Sequence, residues 1–392
     1  MNKKTGIGII GAWGLRRGLI RYVAQNEDVN LLGAADISAQ ALENFQKEYG
    51  KNLYVTQDYR DLLRKDDIDA VFILSPDYCH EEHAVAALQA GKAVYLEKPL
   101  AITIDGALNI LQTAKQTSSL LYVGHNMRYF PVVLKMKEII ESGVIGEVQV
   151  VWCRHFISYG GDAYFKDWHS QQKNVTGLLL QKAAHDIDVI HWLANSHSTM
   201  VTAMGKLSVY NRCTNKQAEG ETHVVSFNQE NWPPLEDHSF AQKIDVEDHS
   251  MMLMSMQNGV QASYMQCHYT PDAWRNYTVI GTKGRVENIG DSGDCSIKLY
   301  TSRTDTFEKP DTVYFLHKTE GSHGGSDPSI VKSFVDFVRT GRKANIDPSA
   351  AFYAVAAGIA ATESLRNNSQ PEQVQTLPEE LIAYFTNGQR PE

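Results

Sequence analysis

The chain has 392 residues, with 46 acidic against 37 basic side chains, a formal net charge of −9 and 43% hydrophobic content. That length supports at least two domains with cores of their own, and the acidic balance excludes nucleic acid as the main partner, because phosphate binding needs a basic surface. Cysteines at 79, 153, 213, 267 and 295, odd in number and without a Cys-x-x-Cys pair, predict a reducing compartment, the cytoplasm, over a disulfide framework.

The first element needs separating from a leader. Lys3-Lys4 precede an apolar run from Gly6 to Leu15, which meets Arg16-Arg17. Glycines break that run, no cleavage-type site follows, and Tyr22 to Asn30 is too polar for a twin-arginine export signal. It reads as a first strand and turn. No run reaches membrane-spanning length, so no membrane partner is expected.

From Gly6 to about Gly124, short apolar runs alternate with amphipathic stretches. The runs are Ile7–Ile10, Leu31–Ala35, Ala70–Leu74, Ala93–Leu96 and Leu120–Val123, and Ala39–Tyr49 and His83–Ala90 between them are helix-like. This alternation predicts a parallel sheet with right-handed crossovers, opening as a nucleotide-binding Rossmann fold does. Gly11 supplies the tight turn after the first strand. Where a second glycine usually lets the backbone approach a pyrophosphate, the chain has Trp13, then Gly14. Either Gly14 takes over that task after a one-residue shift, or Trp13 covers the nucleotide. Asp36 ends the second strand at the spacing of an acid that accepts the adenosine ribose hydroxyls; it would repel a 2′-phosphate, which favours NAD over NADP. The alternative for Asp36 is a cap on the helix beginning near Ser38.

The next strand ends in Ser75-Pro76-Asp77, and His80-Glu81-Glu82-His83 opens a helix whose early acids suit its dipole. The two histidines are wrongly spaced for the zinc protease pattern and lack a third ligand, so no metal is expected. Ala93–Leu96 reads as a buried parallel strand. Glu97-Lys98-Pro99 follows, which puts the Lys98 amine at the carboxyl edge of the sheet, where open α/β folds bind ligands, with proline fixing the backbone behind it.

Together Gly11-Ala12-Trp13-Gly14, Ala35-Asp36, Ser75-Pro76-Asp77 with His80, and Glu97-Lys98-Pro99-Leu100 resemble the Gfo/Idh/MocA family of glucose–fructose oxidoreductases and inositol dehydrogenases. The resemblance continues through Gly124–Pro131, Ser142–Val148, Gly281–Glu287 and His323–Asp327. It implies an α/β chain: an N-terminal Rossmann domain, 1–124, and a C-terminal α/β domain, 125–392, with a large, open, mostly antiparallel sheet. The final helices of the second domain would pack back on the first. It also implies an NAD site made by Gly11, Ala12, Trp13, Gly14, Leu15, Asp36, Ile37, Ser75, Pro76, Asp77, His80, Glu97, Lys98, Asn126 and Arg128, and a homo-oligomer, dimer or tetramer. Runs at Val148–Arg154, Val201–Tyr210, Ser250–Met256, Gln261–His268 and Tyr277–Gly281 look like strands of that sheet.

Thr176 to Ala194 reads as one helix. Leu180, Ala183, Ala184, Ile187, Ile190 and Ala194 form an apolar face, and Gln181, His185, Asp188 and Trp192 a second stripe. In the family, an acid and a histidine four apart on this helix work with the lysine of the Glu-Lys-Pro motif. The histidine falls on His185; the acid falls on Gln181, which loses a carboxylate but keeps hydrogen bonding. Lys182 resembles a subgroup associated with saccharides. Oxidising a secondary alcohol takes a proton from oxygen and a hydride from carbon, and the proton needs a base that titrates near working pH. His185 is assigned as that general acid/base and Lys98 as the group that orients and polarises the oxygen, although the two roles could be exchanged.

Just ahead of this helix, Tyr159, Tyr164, Phe165, Trp168 and His169 crowd a glycine-bearing loop, and aromatic faces beside polar groups suit sugar rings. Tyr159, Trp168, Lys182, Lys98 and His185 are thus the expected substrate contacts. The polar stretch Cys213–Glu247 reads as a lid or an insertion; Ser329–Arg339 and Ser349–Leu365 look helical. The leading expectation is an NAD(P)-dependent dehydrogenase of a ring hydroxyl on a sugar, sugar derivative or cyclitol. Two others stand beside it: an NAD-dependent enzyme that cleaves glycosides by transient oxidation and elimination, and a non-catalytic sugar- or NAD-sensing regulator.

Overall fold

The structure, a computed structural model, describes residues 3–218, 227–234, 239–317, 323–342 and 346–389. Parts of the Cys213–Glu247 stretch, 219–226 and 235–238, lie outside the described residues. The chain forms two compact units: 1–126 with 327–355 and 377–392, and 127–326 with 356–376.

Among the described residues, the first unit holds a six-stranded parallel sheet. Its strands are β1 (Thr5–Ile10), β2 (Val29–Ala35), β3 (Tyr54–Thr56), β4 (Ala70–Ile73), β5 (Ala93–Leu96) and β6 (Leu121–Val123). The order β3-β2-β1-β4-β5-β6 is that of a doubly wound dinucleotide-binding sheet. The connecting helices are α1 (Gly18–Gln25), α2 (Ala39–Tyr49), α3 (Tyr59–Leu63), α4 (His80–Gln89) and α5 (Ile104–Thr117). Their starts are written locally: the side chains of Ser38, Asp58 and Thr103 accept amide protons from Ala41, Arg60 and Gly106. Ser38, not Asp36, therefore caps α2. Phe72, Tyr95 and Tyr122 stack across β4, β5 and β6, and Phe334 of the later helix Ser326–Thr340 meets each ring edge-on. The Gln389 side-chain amide both donates to and accepts from the Leu121 backbone at 2.7 Å, satisfying the edge of β6.

Among the described residues, the second unit is built on a nine-stranded sheet, in the order β14-β13-β12-β11-β7-β10-β9-β8-β15. The strands are β7 (Val148–Phe156), β8 (Ser198–Lys206), β9 (His249–Met256), β10 (Gln261–Cys267), β11 (Trp274–Gly281), β12 (Arg285–Ile289), β13 (Cys295–Tyr300), β14 (Thr312–Leu316) and β15 (Glu372–Gln373). Only β7 and β10 pair in parallel. The helices of this unit include α6 (Pro131–Glu141), α7 (Gly160–Tyr164), α8 (Gln172–Val175), α9 (Leu178–Gln181) and α10 (Ala184–Ala194), with α10 against β7 and β10, and the later helix Pro348–Arg366 contributes its C-terminal part. The two-residue period of a strand sends Cys153, His155, Tyr264 and Tyr277 inward and Trp152, Met204, Met251, Leu253 and Met265 outward. The α/β class and the Rossmann unit with a mostly antiparallel second sheet are as expected.

Three local expectations are corrected. Thr176–Ala194 is not one helix: the Leu178 carbonyl accepts the amides of both Lys182 and Ala183 at 3.1 Å, and this extra residue in the turn separates α9 from α10. The predicted stripe from Gln181 to His185 therefore crosses a break. The strand expected at Val201–Tyr210 is Ser198–Lys206, because the Asp248 carboxylate gathers the amides of Ser208, Val209 and Tyr210 and curls the chain away. Finally, β12, β13 and β14 extend the sheet on a side where no strand was expected.

Candidate active site

In the first unit the turn after β1 is set by two left-handed glycines. Gly11 has φ 90, and a Cβ there would meet the Ser75 amide nitrogen at 2.7 Å, so only glycine lets β1 lie this close to the end of β4. Gly14 has φ 94, and a Cβ there would meet nothing within 4 Å. Trp13 shares the wall of a small hollow with Ala12 of the turn, Ile20 of α1 and Asn44, Phe45 and Tyr49 of α2, and the Arg17 guanidinium lies 4.9 Å from its ring. Leu15 opens a short 3-10 turn.

Asp36 closes this turn from the end of β2. One carboxylate oxygen accepts the Ala12 amide and the other the Ser38 amide, each at 2.8 Å. Burial raises its pKa, outweighing these amide bonds. Ile37, next along, is 88% exposed. At the end of β4, Ser75 Oγ lies 2.9 Å from His83 Nδ1, Pro76 precedes a 3-10 turn, and Asp77 is buried. The buried His80 ring spans two loops, with Nδ1 2.7 Å from the Pro99 carbonyl and Nε2 3.0 Å from the Ser75 carbonyl.

The Glu97-Lys98-Pro99 segment ends β5 and is held by Arg16, just past the glycine turn. Arg16 Nη2 lies 2.8 Å from Glu97 Oε1 and 3.3 Å from Asp327 Oδ1. Burial opposes the Arg16 charge, but Glu97 and Asp327 more than offset it, and its pKa lies above the ordinary guanidinium value. Tyr95 donates to the same Glu97 oxygen at 3.2 Å, and the Lys98 amide donates to the other at 3.2 Å. Asn126 donates to Asp327 at 3.1 Å. Lys98 itself is half-buried.

The second unit contributes Gln181, Lys182 and His185 around the helix break. Gln181 is buried at the end of α9; His185, half-buried, lies in the first turn of α10. That turn is pinned by its neighbour Asp186, whose fully buried carboxylate takes Arg275 Nε at 2.8 Å and hydrogen bonds from the Tyr277 and Tyr264 hydroxyls. His155 Nδ1 lies 3.2 Å away. Burial alone would raise the Asp186 pKa; Arg275 and His155 outweigh it and hold the carboxyl well below its ordinary range. Burial, then Arg275, push the His155 pKa down to about 3, against Asp186. One turn on, Asp188 holds Arg128 with two bonds of 2.8 and 2.7 Å.

Lys182 occupies the break. Its Nζ donates to the Tyr159 hydroxyl at 3.0 Å and lies 5.3 and 5.5 Å from the Tyr159 and Tyr164 rings. Burial, then Arg275, push its pKa down to about 7, against Asp186 and Asp291. Trp168 stacks on His169 at 3.6 Å. The second unit thus gathers Lys182 with Tyr159, and pairs Arg128 with Asp188. Arg16, Asp186 and Arg275 had no signal in local spacing.

The fit of a dinucleotide rests on the first unit: a turn whose second left-handed glycine faces open space, and an acid at the end of β2 with acceptor capacity left. Among the described residues no His, Cys, Asp and Glu group could hold a metal ion, and no helix is long and apolar enough to cross a membrane.

Comparison with known proteins agrees with this architecture. Residues 5–125 match the NAD-binding Rossmann fold of the Gfo/Idh/MocA oxidoreductase family, and residues 137–374 match its C-terminal α/β domain. The chain is 29% identical over 326 residues to the uncharacterized oxidoreductase YrbE of Bacillus subtilis, covering 82% of this chain and 84% of that protein. It is 30% identical over 191 residues to an inositol 2-dehydrogenase/D-chiro-inositol 3-dehydrogenase of Shouchella clausii, covering 48% of this chain and 53% of the relative. A solved levoglucosan dehydrogenase in complex with NADH and L-sorbose shares the fold, with a TM-score of 0.77 at 17% identity over 96% of this chain and all of that one.

Proposed function

The chain belongs to the Gfo/Idh/MocA family of oxidoreductases with an NAD-binding Rossmann fold, and from that premise we propose that it oxidises a ring hydroxyl of a sugar, sugar derivative or cyclitol, using NAD in preference to NADP. The observation that carries the reading is the locked Glu97-Lys98 pair: Arg16 and Tyr95 hold the Glu97 carboxylate, whose second oxygen takes the Lys98 amide. Lys98 is thus a half-buried amine on a fixed backbone at the carboxyl end of a central strand, the place where such sheets bind ligands.

In this reading the glycine turn holds the pyrophosphate, Gly14 giving the close backbone approach. Asp36 accepts the ribose hydroxyls and repels a 2′-phosphate, and Ile37 offers an apolar surface to the adenine. Bound nicotinamide supplies the hydride acceptor. Lys98 donates a hydrogen bond to the reacting hydroxyl and orients it; His185 takes its proton, with the first turn of α10 fixed by Asp186. Gln181 hydrogen-bonds without titrating, so it takes no proton from the substrate. Tyr159 and Trp168 offer aromatic faces to the apolar side of the ring.

We further propose that the chain self-associates in the cytoplasm through the outward face of the second sheet. Met204, Met251 and Met265 lie side by side on β8, β9 and β10, with Leu253 and Trp152 one step along, all exposed; an apolar patch of this kind marks an interaction surface. All five cysteines are free, in keeping with a reducing compartment.

The test is mass analysis of the purified protein for retained nucleotide, followed by NADH formation over a panel of sugars, cyclitols and glycosides. Hydroxyl-dependent NADH formation supports the reading. Aglycone release without net NADH, or no turnover with any member of the panel, overturns it.

A further inference from the structure

Lys182 is out of place as a structural residue. Its side chain is 7% exposed, yet it donates one hydrogen bond, to Tyr159, and among the described residues no carboxylate lies within ion-pair range of its amine. An ammonium has three N–H donors. Two therefore remain, in surroundings where an unpaired charge is costly unless something completes it. A purely structural lysine would be satisfied by a neighbouring acid, as the equally buried Lys166 is by Asp162 at 2.8 Å.

The groups facing Lys182 do not supply that acid. From the loop and α7 come the Tyr159 and Tyr164 rings. From β11 comes Arg275, which opposes its charge. Asp186 of α10 and Asp291 favour its charge, but both are already bound to Arg275, at 2.8 and 2.9 Å. Past the end of β10 lies His268, buried, with no hydrogen-bond partner for either ring nitrogen among the described residues; burial, His155 and Lys182 all disfavour its protonation. Burial and Arg275 likewise disfavour protonation of His155, against Asp186. The amine therefore lies against two tyrosine rings, opposed electrostatically by Arg275, with no carboxylate of its own among the described residues.

We propose that Lys182, with the Tyr159 hydroxyl beside it, binds a carboxylate carried by the substrate, and that the sugar oxidised is an acidic one, a uronate or related sugar acid. This rests on the redox reading above and names its substrate class. A carboxylate accepts both remaining N–H donors and makes the charge-assisted bonds that the site lacks. Half-buried Tyr159 adds a hydroxyl and an apolar face for the ring that carries the acid. Binding is linked to protonation: an anion beside Lys182 favours its charged form, so affinity weakens as pH rises past the amine's lowered pKa.

The experiment compares hexuronates with the matched neutral hexoses, using the full-length protein, NADH formation and thermal stabilisation by each sugar. The expected result is a kcat/KM at least ten times higher for the hexuronate, carried by KM, with the hexuronate KM rising between pH 6 and pH 8. In Lys182→Met the hexuronate-to-hexose ratio falls at least tenfold, and Lys182→Arg restores part of it. Equal use of both sugars by the wild type, or a ratio unmoved in a Lys182→Met protein that melts cooperatively, overturns the proposal. If neither sugar yields NADH while the hexuronate still stabilises wild type and not Lys182→Met, the carboxylate site stands and the redox reading falls.

Discussion

Arg16 Nη2 meets Glu97 Oε1 at 2.8 Å, so the residue just past the glycine turn grips the one just before Lys98. Removing the guanidinium leaves a buried carboxylate with Tyr95 as its remaining side-chain donor. Breaking one partner of a buried pair costs ~3–5 kcal/mol. Arg16→Met should lower the melting temperature and blunt the extra stabilisation that NAD confers, both read by thermal shift with and without nucleotide. A variant as stable as wild type and equally stabilised by NAD would show that the bridge holds neither the fold nor the turn.

Asp36 should govern cofactor choice. Asp36→Ser removes the charge that repels a 2′-phosphate while keeping an oxygen near the Ala12 amide. The ratio of kcat/KM for NAD over NADP should fall by at least tenfold, about 1.4 kcal/mol. An unchanged ratio would exclude Asp36 from ribose recognition.

Lys98→Ala and His185→Ala should each lower kcat by ~10²–10⁴, the usual worth of a positioned acid/base group, with melting temperatures near wild type because both side chains are only half-buried. Two variants turning over at the wild-type rate would dismiss the assigned chemistry.

Two buried groups in the second unit each make stability rise with pH, in separate windows. Asp186 is held below the ordinary carboxyl value, so its contribution to stability is present above about pH 4 and is lost as pH falls through the lowered folded value. Lys182 is a base pushed down from 10.5 to about 7; between those values the unfolded chain binds a proton that the folded chain does not, and stability rises with pH. Urea titrations should show Asp186→Asn losing ~3–5 kcal/mol at pH 7, and Lys182→Met losing the rise between pH 7 and pH 10. A Lys182→Met protein that keeps that rise would assign it elsewhere.

The outward sheet face should respond to charge. Leu253→Lys together with Met251→Glu places opposite charges in the apolar patch at positions that are already exposed, so the fold should survive. Sedimentation should show a smaller species than wild type; an unchanged species would move the association surface off this sheet.

How far the fold could be read from the chain follows from what each feature depends on. β1, β4 and β5 are continuous apolar runs, and α2, capped by Ser38, has the bounds its pattern predicts. β12 and β13 mix buried with part-exposed positions, and β14 lies at the sheet edge with no fully buried position, so their apolar signal is diluted. The break at Lys182 is invisible in composition, since apolar residues recur at helical spacing on both sides of it and only a doubly used carbonyl reveals it. Lys98, His185 and Lys182 stand out as residue types in short motifs. Arg16 and Arg275 do not, because the partners that define them lie 81 and 89 positions away in sequence.

The closeness of β1 to the end of β4 at Gly11 bears on how this scaffold can be re-engineered. Any side chain at that position drives into the backbone of Ser75 and Leu74, so random libraries covering the first turn will return mostly misfolded clones there. Exposed Ile37 and its neighbour Asp36 offer a latitude that the wedge forbids, and a campaign to change coenzyme preference is best aimed at them.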